Sequence, residues 1–325
     1  MHLSDGELDE LLCSAFAEDE LARSGDVVVV VASPDGASVR SGALERLASL
    51  PCVVIGEGHS VVAPPPHLDV VSEDAVAGVD RLLAAIEAKP IATVTLVMLL
   101  HGAHSRSLGD GLVAESSAYS LLQAGPEFGR WLAARGRRER PESTEPPVLV
   151  HREGHRFDIT LNRPHVRNAL NRSMRDALLG ALAVPAADPT VTEVRLQGAG
   201  PVFCSGGDLD EFGSFDDPAN AHVVRLATSI GRAIDAVRDR VIVHMHGRCA
   251  GSGVELPAFA GRVVAAADTS FSLPEVGLGL IPGAGGTVSL TRRIGRRRVA
   301  LLALSGASID APTALAWGLV DGISP

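Results

Sequence analysis

The chain has 325 residues, of which 46% are hydrophobic and 21% are charged, a balance typical of a soluble globular protein with one large core, or one large and one small core. The net charge of −10 argues against a general affinity for nucleic acid, although it allows a local basic pocket. The longest apolar run, residues 91–100, is shorter than the ~20 residues of a membrane-spanning helix. It therefore predicts a buried strand or another core segment and no contact with a membrane.

The four cysteines, Cys13, Cys52, Cys204 and Cys249, are scattered along the chain without a Cys-x-x-Cys pair. This pattern predicts neither a disulfide framework nor a metal site, and it favours a reducing compartment, the cytoplasm. The first residues, Met-His-Leu-Ser-Asp-Gly-Glu, lack the basic and apolar regions of a signal peptide, which agrees with a cytoplasmic protein.

Residues 136–147 are polar, charged and rich in proline, which predicts a linker between an extension at 1–135 and a second part at 148–325. In the extension, apolar spacing predicts short strands at 27–32 and 52–55, and helices at 5–23, 73–88, 112–122 and 128–134. The extension is therefore a mixture of strands and helices, and its sequence indicates no chemistry of its own.

The second part alternates more regularly between strand and helix patterns. Strands are predicted at 157–161, 194–197, 241–245 and 263–267. Helices are predicted at 171–182, ending before Pro185, at 223–237, and at 254–260, starting at the preceding glycines. Repeated strand-then-helix units predict a parallel sheet with helices packed outside it, in one α/β domain.

Two glutamates twenty residues apart each lie in a segment punctuated by glycine, Glu255 in Gly-Ser-Gly-Val-Glu and Glu275 in Pro-Glu-Val-Gly. Paired carboxylates can hold and activate one water molecule, which suits the addition of water to an activated double bond. The glycines let backbone amides approach a ligand closely, which suits an oxyanion pocket. The alternative is that one glutamate is an ordinary surface or capping residue.

Five segments follow one another in the second part: Leu161-Asn-Arg-Pro-His-Val-Arg-Asn-Ala-Leu170, Phe203-Cys-Ser-Gly-Gly-Asp-Leu209, Gly251-Ser-Gly-Val-Glu255, Pro274-Glu-Val-Gly with Ile281-Pro-Gly-Ala-Gly-Gly286, and Gly318-Leu-Val-Asp-Gly-Ile-Ser-Pro325. In this order and at these spacings they resemble the crotonase (enoyl-CoA hydratase/isomerase) superfamily over residues 148–325. The resemblance implies an α/β fold built as a spiral of ββα repeats, an acyl-CoA thioester substrate and no separate cofactor. It also implies a homo-oligomer, either a trimer or a hexamer.

The resemblance further implies an oxyanion hole of two backbone amides, at Gly207 and Ser252. The family usually has glycine at the second position, and serine keeps the N–H while adding bulk beside the thioester. Family hydratases use two glutamates, whereas isomerases often keep only the one that matches Glu275. The implied roles are that Glu275 donates a proton to the α-carbon and that Glu255 orients and deprotonates the water.

Contacts to CoA are implied as well. In the family, backbone groups around the first oxyanion amide hold the adenine and pantetheine, and arginine suits the geometry of the phosphates. Many relatives carry a lysine shortly after this segment, where the present chain has Asp210. For the arginines the alternative is a solvated surface position. The candidates are Ser205, Gly207, Asp208, Leu209, Arg163 and Arg167.

The chain departs from the resemblance at both ends. Crotonases continue past the Gly-Leu-Val segment into C-terminal helices that cover the acyl pocket, so we expect no such C-terminal helical lid here. We hypothesise that residues 1–135 provide the cover, from the same or a neighbouring subunit. The alternative is that they are a degenerate crotonase-like half, because Gly111-Leu-Val-Ala-Glu115 is weakly similar to Gly251-Ser-Gly-Val-Glu255.

Three functions are compatible with these residues. The first is an enoyl-CoA hydratase, a lyase that adds water reversibly and syn to a 2-enoyl-CoA. The second is another crotonase reaction on a CoA thioester, either double-bond isomerisation or the cofactor-free dioxygenation of an arylacetyl-CoA, for which an amide is expected in place of Glu255. The third is a non-catalytic subunit that binds acyl-CoA or a partner. The retained pair of glutamates favours the hydratase.

Overall fold

The structure is a computed structural model that describes residues 2–3, 10, 14, 16, 28–32, 52–56, 68–73, 76–136, 144–214 and 217–324. Most of the helix predicted at 5–23, most of the linker predicted at 136–147, and Cys13 lie outside these residues. The helix and the linker therefore stay predictions.

A small parallel sheet belongs to the extension. Its strands β1 (His2–Leu3), β2 (Val28–Ala32), β3 (Cys52–Gly56) and β4 (Val70–Val71) lie side by side in that order, and each neighbouring pair is parallel. Strand β3 is buried along its whole length, as its run of apolar residues requires. The strands predicted at 27–32 and 52–55 are confirmed.

Four helices follow this sheet. They are α1 (Val79–Ala88), α2 (Pro90–His101), α3 (Leu108–Gln123) and α4 (Pro126–Arg135). The helices predicted at 112–122 and 128–134 are confirmed, and the helix predicted at 73–88 begins later, at Val79.

Helix α2 occupies the apolar run for which a buried strand and a core segment were the alternatives. Pro90 stands at its first turn, and the carboxylate of Glu127 accepts hydrogen bonds from the N–H groups of Ile91 (2.9 Å) and Ala92 (3.0 Å). Both features favour the start of a helix, because they satisfy or remove donors that a first turn leaves unpaired. The strand alternative is wrong, and the core segment is confirmed because half of α2 is buried.

In the described part of the chain, no single helix has both the length and the apolar composition needed to cross a membrane. Helices α1 and α2 reach that length and composition only when they are taken together, and the chain bends by 111° between them.

The second part contains nine strands in two sheets. They are β5 (Val148–Glu153), β6 (Arg156–Leu161), β7 (Glu193–Gly198), β8 (Val241–Met245), β9 (Arg248–Ala250), β10 (Arg262–Ala266), β11 (Ser270–Ser272), β12 (Ser308–Asp310) and β13 (Gly322–Ser324). Six of them form a sheet in the order β13–β10–β8–β7–β6–β5, in which only the β5–β6 pair is antiparallel. The four strands predicted in this part are confirmed.

The smaller sheet of the second part places the two glutamate segments side by side. Strand β11 pairs in parallel with β9, with Phe271 opposite Cys249, and pairs in antiparallel fashion with β12. Just beyond β9, the N–H of Gly251 donates to the carbonyl of Ser272 over 3.0 Å. The segments that lead to Glu255 and to Glu275 therefore start at the carboxyl ends of two neighbouring parallel strands.

Seven helices pack around these sheets: α5 (Arg172–Ala187), α6 (Pro218–Ala227), α7 (Ile230–Ala236), α8 (Ser252–Glu255), α9 (Gly286–Ile294), α10 (Arg296–Ser305) and α11 (Ala311–Trp317). Single 3-10 turns lie at Pro164–Val166, Arg238–Arg240, Pro257–Phe259 and Glu275–Leu278.

Three predicted helix boundaries are wrong. Helix α5 continues to Ala187 instead of ending before Pro185, whose ring is buried near the end of the helix. The helix predicted at 223–237 is two helices, because the hydroxyl of Ser229 accepts from the N–H of Arg232 and so caps a new start. The helix predicted at 254–260 is the short α8 followed by a 3-10 turn that begins at Pro257, a residue without an N–H to continue α8.

The extension and the second part share one hydrophobic core. Helix α3 packs against α6 and α9, and α10 packs against α1, α2 and β4. The packing of α3 against α9 places α3 beside the loop that precedes α9. This loop bounds the candidate site. The domain boundary at 136–147 and the covering role of residues 1–135 stay predictions.

Candidate active site

The two predicted catalytic glutamates lie close together in the interior. Glu255 ends α8 and is 2% exposed, and Glu275 begins the 3-10 turn after β11 and is 9% exposed. Gly251 has a φ of +51°, and a Cβ at this position would collide with Oε1 of Glu275. Glycine is therefore required at 251 both by the backbone conformation and by the neighbouring carboxylate.

The two predicted oxyanion amides also lie on adjacent pieces of backbone. The bridge between Leu170 and Gly207 uses the carbonyl of Gly206 and the N–H of Asp208, so the N–H of Gly207 has no acceptor among the residues that the structure describes. Ser252 is the first residue of α8, where an N–H has no partner within the helix.

Contacts between the two segments are direct. A Cβ at Gly206 would lie 3.1 Å from the carbonyl oxygen of Ala250, and a Cβ at Gly253 would overlap the carbonyl oxygen of Cys204. The segments that carry Gly207 and Ser252 therefore lie against each other, and Gly251, next to Ser252, lies against the Glu275 carboxylate. The use of the Gly207 and Ser252 N–H groups as an oxyanion hole stays a prediction.

Asn168 holds the first of these segments in place and was not singled out in the sequence. It is fully buried and has a left-handed φ of +53°, which asparagine tolerates better than most residues. Its side-chain amide donates to the carbonyls of Ala199 (2.8 Å), Val202 (2.9 Å) and Phe203 (3.0 Å), and its oxygen accepts from the N–H of Arg163 (2.8 Å). The only signal in the sequence is its place at the end of the Asn-Arg-Pro turn.

Glu255 is held by the loop before α9. Its Oε2 accepts from the N–H groups of Ala284 and Gly286, each over 2.8 Å, and a Cβ at Gly286 would lie 2.6 Å from the same oxygen. Burial raises the pKa of Glu255 well above its usual value, the charges of Glu275 and Glu115 raise this pKa further, and the two N–H bonds oppose the rise.

Glu275 has a different environment. Burial raises its pKa to about 7, its own backbone N–H opposes this rise, and the charge of Glu115 adds to it. Its Oε2 is buried and accepts no hydrogen bond from any residue in the described ranges. A carboxyl group with this pKa is about half protonated at neutral pH, and one of its oxygens is engaged by no described donor.

Glu115 is a third buried carboxyl group at the same place, and it comes from α3 of the extension. Its Oε1 accepts from the N–H of Gly285 (2.6 Å), and its Oε2 accepts from the N–H (2.8 Å) and the hydroxyl (2.7 Å) of Thr287. Burial raises the pKa of Glu115 to about 7, and these hydrogen bonds and the charge of Arg225 oppose the rise. Glu115 and Glu255 thus bind alternating amides of residues 284–287.

Sequence analysis missed Glu115 as a site residue. Its segment was noticed only for a weak similarity to residues 251–255, and the two segments have different local structures. Gly111 lies inside the long helix α3, whereas Gly251 precedes the four-residue helix α8 with a positive φ. The packing of α3 against α9 brings Glu115 to the loop that holds Glu255, and the sequence around Glu115 does not indicate this packing.

Comparison with known proteins decides the family. Residues 155–325, which are more than half of the chain, match the family model described as enoyl-CoA hydratase/isomerase. The chain belongs to this family, the crotonase superfamily. The predicted superfamily and the predicted fold class are therefore confirmed, whereas the spiral of ββα repeats stays a finer expectation.

Several proteins similar to this crotonase are named as hydratases. The 2,3-dehydroadipyl-CoA hydratase of Escherichia coli (strain K12) is 34% identical over 178 residues, which are 55% of this chain and 69% of that protein. The mevalonyl-coenzyme A hydratase of Beauveria bassiana is 35% identical over 196 residues, 56% of this chain and 70% of that protein. A solved structure of enoyl-CoA hydratase from Thermoplasma volcanium GSS1 aligns with a TM-score of 0.52 at 33% identity, over 55% and 72% of the two chains.

The predicted CoA contacts of this crotonase fall into two groups. The guanidinium of Arg163 donates to a carboxylate oxygen of Asp208 over 3.1 Å, and both side chains are largely buried, so each neutralises the other. Arg167 is exposed, with a left-handed φ of +56°, and its carbonyl accepts from the N–H of Ser205 over 3.0 Å. Leu209 is half-buried. Contact of these residues with CoA stays a prediction.

Asp210, which stands where the resemblance implies a lysine, forms an ion pair with Arg135 of α4. The side chains of both residues are mostly buried. The arginine that neutralises Asp210 therefore comes from the extension, and the pair as a whole carries no net charge.

A cavity of about 140 Å³ has Glu115 among its lining residues. Its walls come from α3, from the junction of α6 and α7, and from the glycine-rich loop at 283–285. Because the amides on either side of Gly285 hold Glu255, this cavity borders the reacting centre of the candidate site.

The buried cysteines of this crotonase are not activated nucleophiles. Burial raises the pKa of Cys204 to about 11 and that of Cys249 to about 12, so both are neutral thiols, as a buried structural cysteine is expected to be. In the ranges that the structure describes, no three His, Cys, Asp or Glu side chains are grouped to hold a metal ion. A metal-free and cofactor-free reaction stays a prediction.

Proposed function

We propose that the protein is an enoyl-CoA hydratase, which adds water reversibly and syn to the double bond of a 2-enoyl-CoA thioester. The observation that carries this proposal is that the buried Glu255 and Glu275 lie on segments in contact with those of Gly207 and Ser252, whose N–H groups have no acceptor among the described residues. Membership of the enoyl-CoA hydratase/isomerase family supports it. So do the relatives that are named hydratases.

The N–H groups of Gly207 and Ser252 would bind the thioester oxygen. When water attacks the β-carbon of the conjugated alkene, electrons move through the α-carbon to this oxygen, which gains negative charge. Two fixed donors stabilise that charge more than they stabilise the neutral carbonyl, an effect worth roughly 3–4 kcal/mol per donor. The positive end of α8 adds little, because this helix has only four residues.

The two glutamates would divide the proton transfers between them. Burial and the neighbouring acids raise the pKa of Glu255, and its two N–H bonds oppose this rise by favouring the charged form; in that form Glu255 would take the proton of the attacking water. Glu275 has a buried oxygen without a donor among the described residues, and its pKa of about 7 leaves about half of it protonated near neutral pH; the protonated form would give its proton to the α-carbon. One proton leaves the water and one reaches the α-carbon, and the pair ends with its single proton on Glu255.

The extension would cover this site from within the same chain. Glu115 of α3 binds the loop that holds Glu255, and Arg135 of α4 pairs with Asp210 beside the first oxyanion segment. Helix α3 also forms one wall of the cavity. These contacts support the hypothesis that residues 1–135 supply the cover, and a chain that starts near Pro147 is expected to lose activity.

The test is a set of assays with purified protein. Loss of the absorbance of crotonyl-CoA reports hydration, and each of Glu255→Gln and Glu275→Gln is expected to slow it at least about 100-fold. Glu127→Gln, which changes a buried glutamate at the start of α2, serves as the matched control and should leave the rate unchanged.

Other outcomes of the same assays would favour the alternatives. Migration of the double bond without hydration would indicate an isomerase, and oxygen uptake with an arylacetyl-CoA would indicate a dioxygenase. Binding of CoA thioesters without turnover would indicate a non-catalytic subunit. The cytoplasmic location and a homo-oligomeric state, trimer or hexamer, stay predictions.

A further inference from the structure

The cavity lined by Glu115 is also lined by an arginine that the proposed reaction does not use. Arg225 lies in α6 and lines the cavity together with Glu115 and Ser116 of α3. Its position is on the wall formed by α6, whereas the amides that hold Glu255 belong to the loop wall at 283–285. An acyl chain that passed from Glu255 along this loop into the cavity would meet the guanidinium of Arg225.

The partners of Arg225 are neutral. Its Nε donates to the hydroxyl of Ser116 (3.0 Å), and its terminal nitrogens donate to Ser120, to Gln123 (3.2 Å) and to the carbonyl of Ser116 (3.5 Å). The guanidinium also lies over the ring of Tyr119, 4.6 Å from its centre. All of these groups belong to α3, so one helix of the extension fixes the orientation of the arginine.

No described carboxylate forms an ion pair with Arg225. The charge of Glu115 acts on Arg225, but the two carboxylate oxygens of Glu115 accept hydrogen bonds from Gly285 and Thr287. Burial lowers the pKa of Arg225, and the charge of Glu115 opposes this. Of its five N–H groups, one has no acceptor among the residues with described positions.

Arg225 is half-buried, and a cation that lines a cavity without an ion pair to a described carboxylate can bind an anion from elsewhere, since charges shielded from water are normally paired. Arg175 of α5 lines the same cavity and adds a second positive charge, although it is already paired with Asp176. The intervening walls are apolar, with Leu112, Leu226 and Leu256 among the lining residues. Such a cavity suits a short chain of methylene groups that ends in a negative charge.

We propose that the protein acts on 2-enoyl-CoA thioesters whose acyl chain ends in a carboxylate, and that Arg225 binds this carboxylate. The inference rests on the proposed function, because it assumes that the acyl group lies in this cavity. Arg225 is thereby a residue that determines substrate specificity, and it takes no part in the proton transfers.

The experiment compares two probes that differ only at the far end of the chain, 2-hexenoyl-CoA and 5-carboxy-2-pentenoyl-CoA. We expect kcat/KM for hydration of the carboxylate-ended thioester to exceed that of the methyl-ended thioester by at least about tenfold, the value of one hydrogen bond to a charged group. Equal values, or a preference for the methyl-ended thioester, would overturn the inference.

Variants locate the preference. Arg225→Met keeps the length of the side chain and removes its charge, so it should abolish the preference by lowering kcat/KM for the carboxylate-ended thioester alone. Arg225→Lys keeps the charge and should retain part of the preference. Arg232→Met, which changes an exposed arginine of α7, should behave as the wild type. A preference that survives Arg225→Met refutes the assignment to Arg225.

A binding measurement separates this inference from the proposed function. Saturated adipyl-CoA and hexanoyl-CoA cannot be hydrated, so calorimetry with them reports recognition without chemistry. Tighter binding of adipyl-CoA, lost in Arg225→Met, supports the carboxylate site even if no thioester is hydrated. Equal binding of the two thioesters, together with hydration of 2-hexenoyl-CoA, refutes the carboxylate site and leaves the hydratase standing.

Discussion

Replacement of Glu115 by glutamine should move the pH profile of hydration toward acid. The proposed active form of the pair Glu255 and Glu275 holds one proton, so kcat/KM should fall both where the pair gains a second proton and where it loses the first. The charge of Glu115 raises the pKa of both partners. Glu115→Gln removes this charge, and both limbs of the bell-shaped profile should therefore shift to lower pH.

The size of the shift follows from the hydrogen bonds. Glu115 and Glu255 bind alternating amides of residues 284–287 through bonds of 2.6–2.8 Å, which places the two carboxylates roughly 6 Å apart. At an effective dielectric constant of about 20, two charges at this distance repel by about 3 kcal/mol, or about 2 pH units. Because Glu115 itself has a pKa of about 7, it is only partly charged near neutrality, and the expected shift is about 1 pH unit.

The assay is the initial rate of crotonyl-CoA hydration at low substrate concentration, from about pH 5 to about pH 10. Glu127→Gln is the matched control, because Glu127 also accepts two backbone N–H bonds at the start of a helix in the extension, and its profile should equal that of the wild type. If the Glu115→Gln protein is folded and its limbs do not move, or move toward alkali, the electrostatic reasoning is wrong. An equal shift in the control would also refute it.

Three further predictions concern stability and positioning. Asn168→Ala leaves the buried carbonyls of Val202 and Phe203 without their donor, so the free energy of unfolding in urea should fall by about 3 kcal/mol; a loss below about 1 kcal/mol would show that water replaces the amide. Gly253→Ala must displace the backbone of Cys204, and with it the Gly207 amide, so kcat should fall about 100-fold, whereas Gly180→Ala, which meets no atom within 4 Å, should keep wild-type activity. The raised pKa values of Glu115 and Glu275, about 7 each, mean that the folded state binds more protons than the unfolded state between about pH 4.5 and pH 7, so stability should decrease as pH rises through this range, by about 3 kcal/mol for one such group. Urea titrations at several pH values check this, and a stability that increases over the same range would contradict it.

Local patterns predicted the parts of the fold that depend on local physics. The strands of the central sheet have alternating apolar residues, as in β8, where Val241, Val243 and Met245 are buried. The segments around Glu255 and Glu275 were found because their glycines are required by backbone conformation and by close contacts within the site. These requirements involve only a few neighbouring residues, so a short stretch of sequence indicates them.

Other features depend on residues far apart in the sequence. Helix α2 has no amphipathic pattern, because it is apolar on most sides, and its start is fixed by Glu127, which lies 36 residues away. The break between α6 and α7 rests on one capping serine inside a continuous helical pattern. Glu115 acquires its role only from the loop at 284–287, 170 residues further along the chain. The hydrophobic periodicity and the local motifs of the sequence do not indicate these long-range contacts.

The loop at 284–287 links the cover to the chemistry. Its four successive N–H groups, at the start of α9, bind Glu255 and Glu115 in alternation, and the positive end of this helix favours negative charge there. The loop can therefore hold two acids in one buried place, but each acid makes the other harder to ionise. Since one acid belongs to the second part and the other to the extension, the proton affinity of the proposed catalytic pair depends on whether α3 is in place. Docking of the extension thus sets the electrostatics of the site as well as its shape.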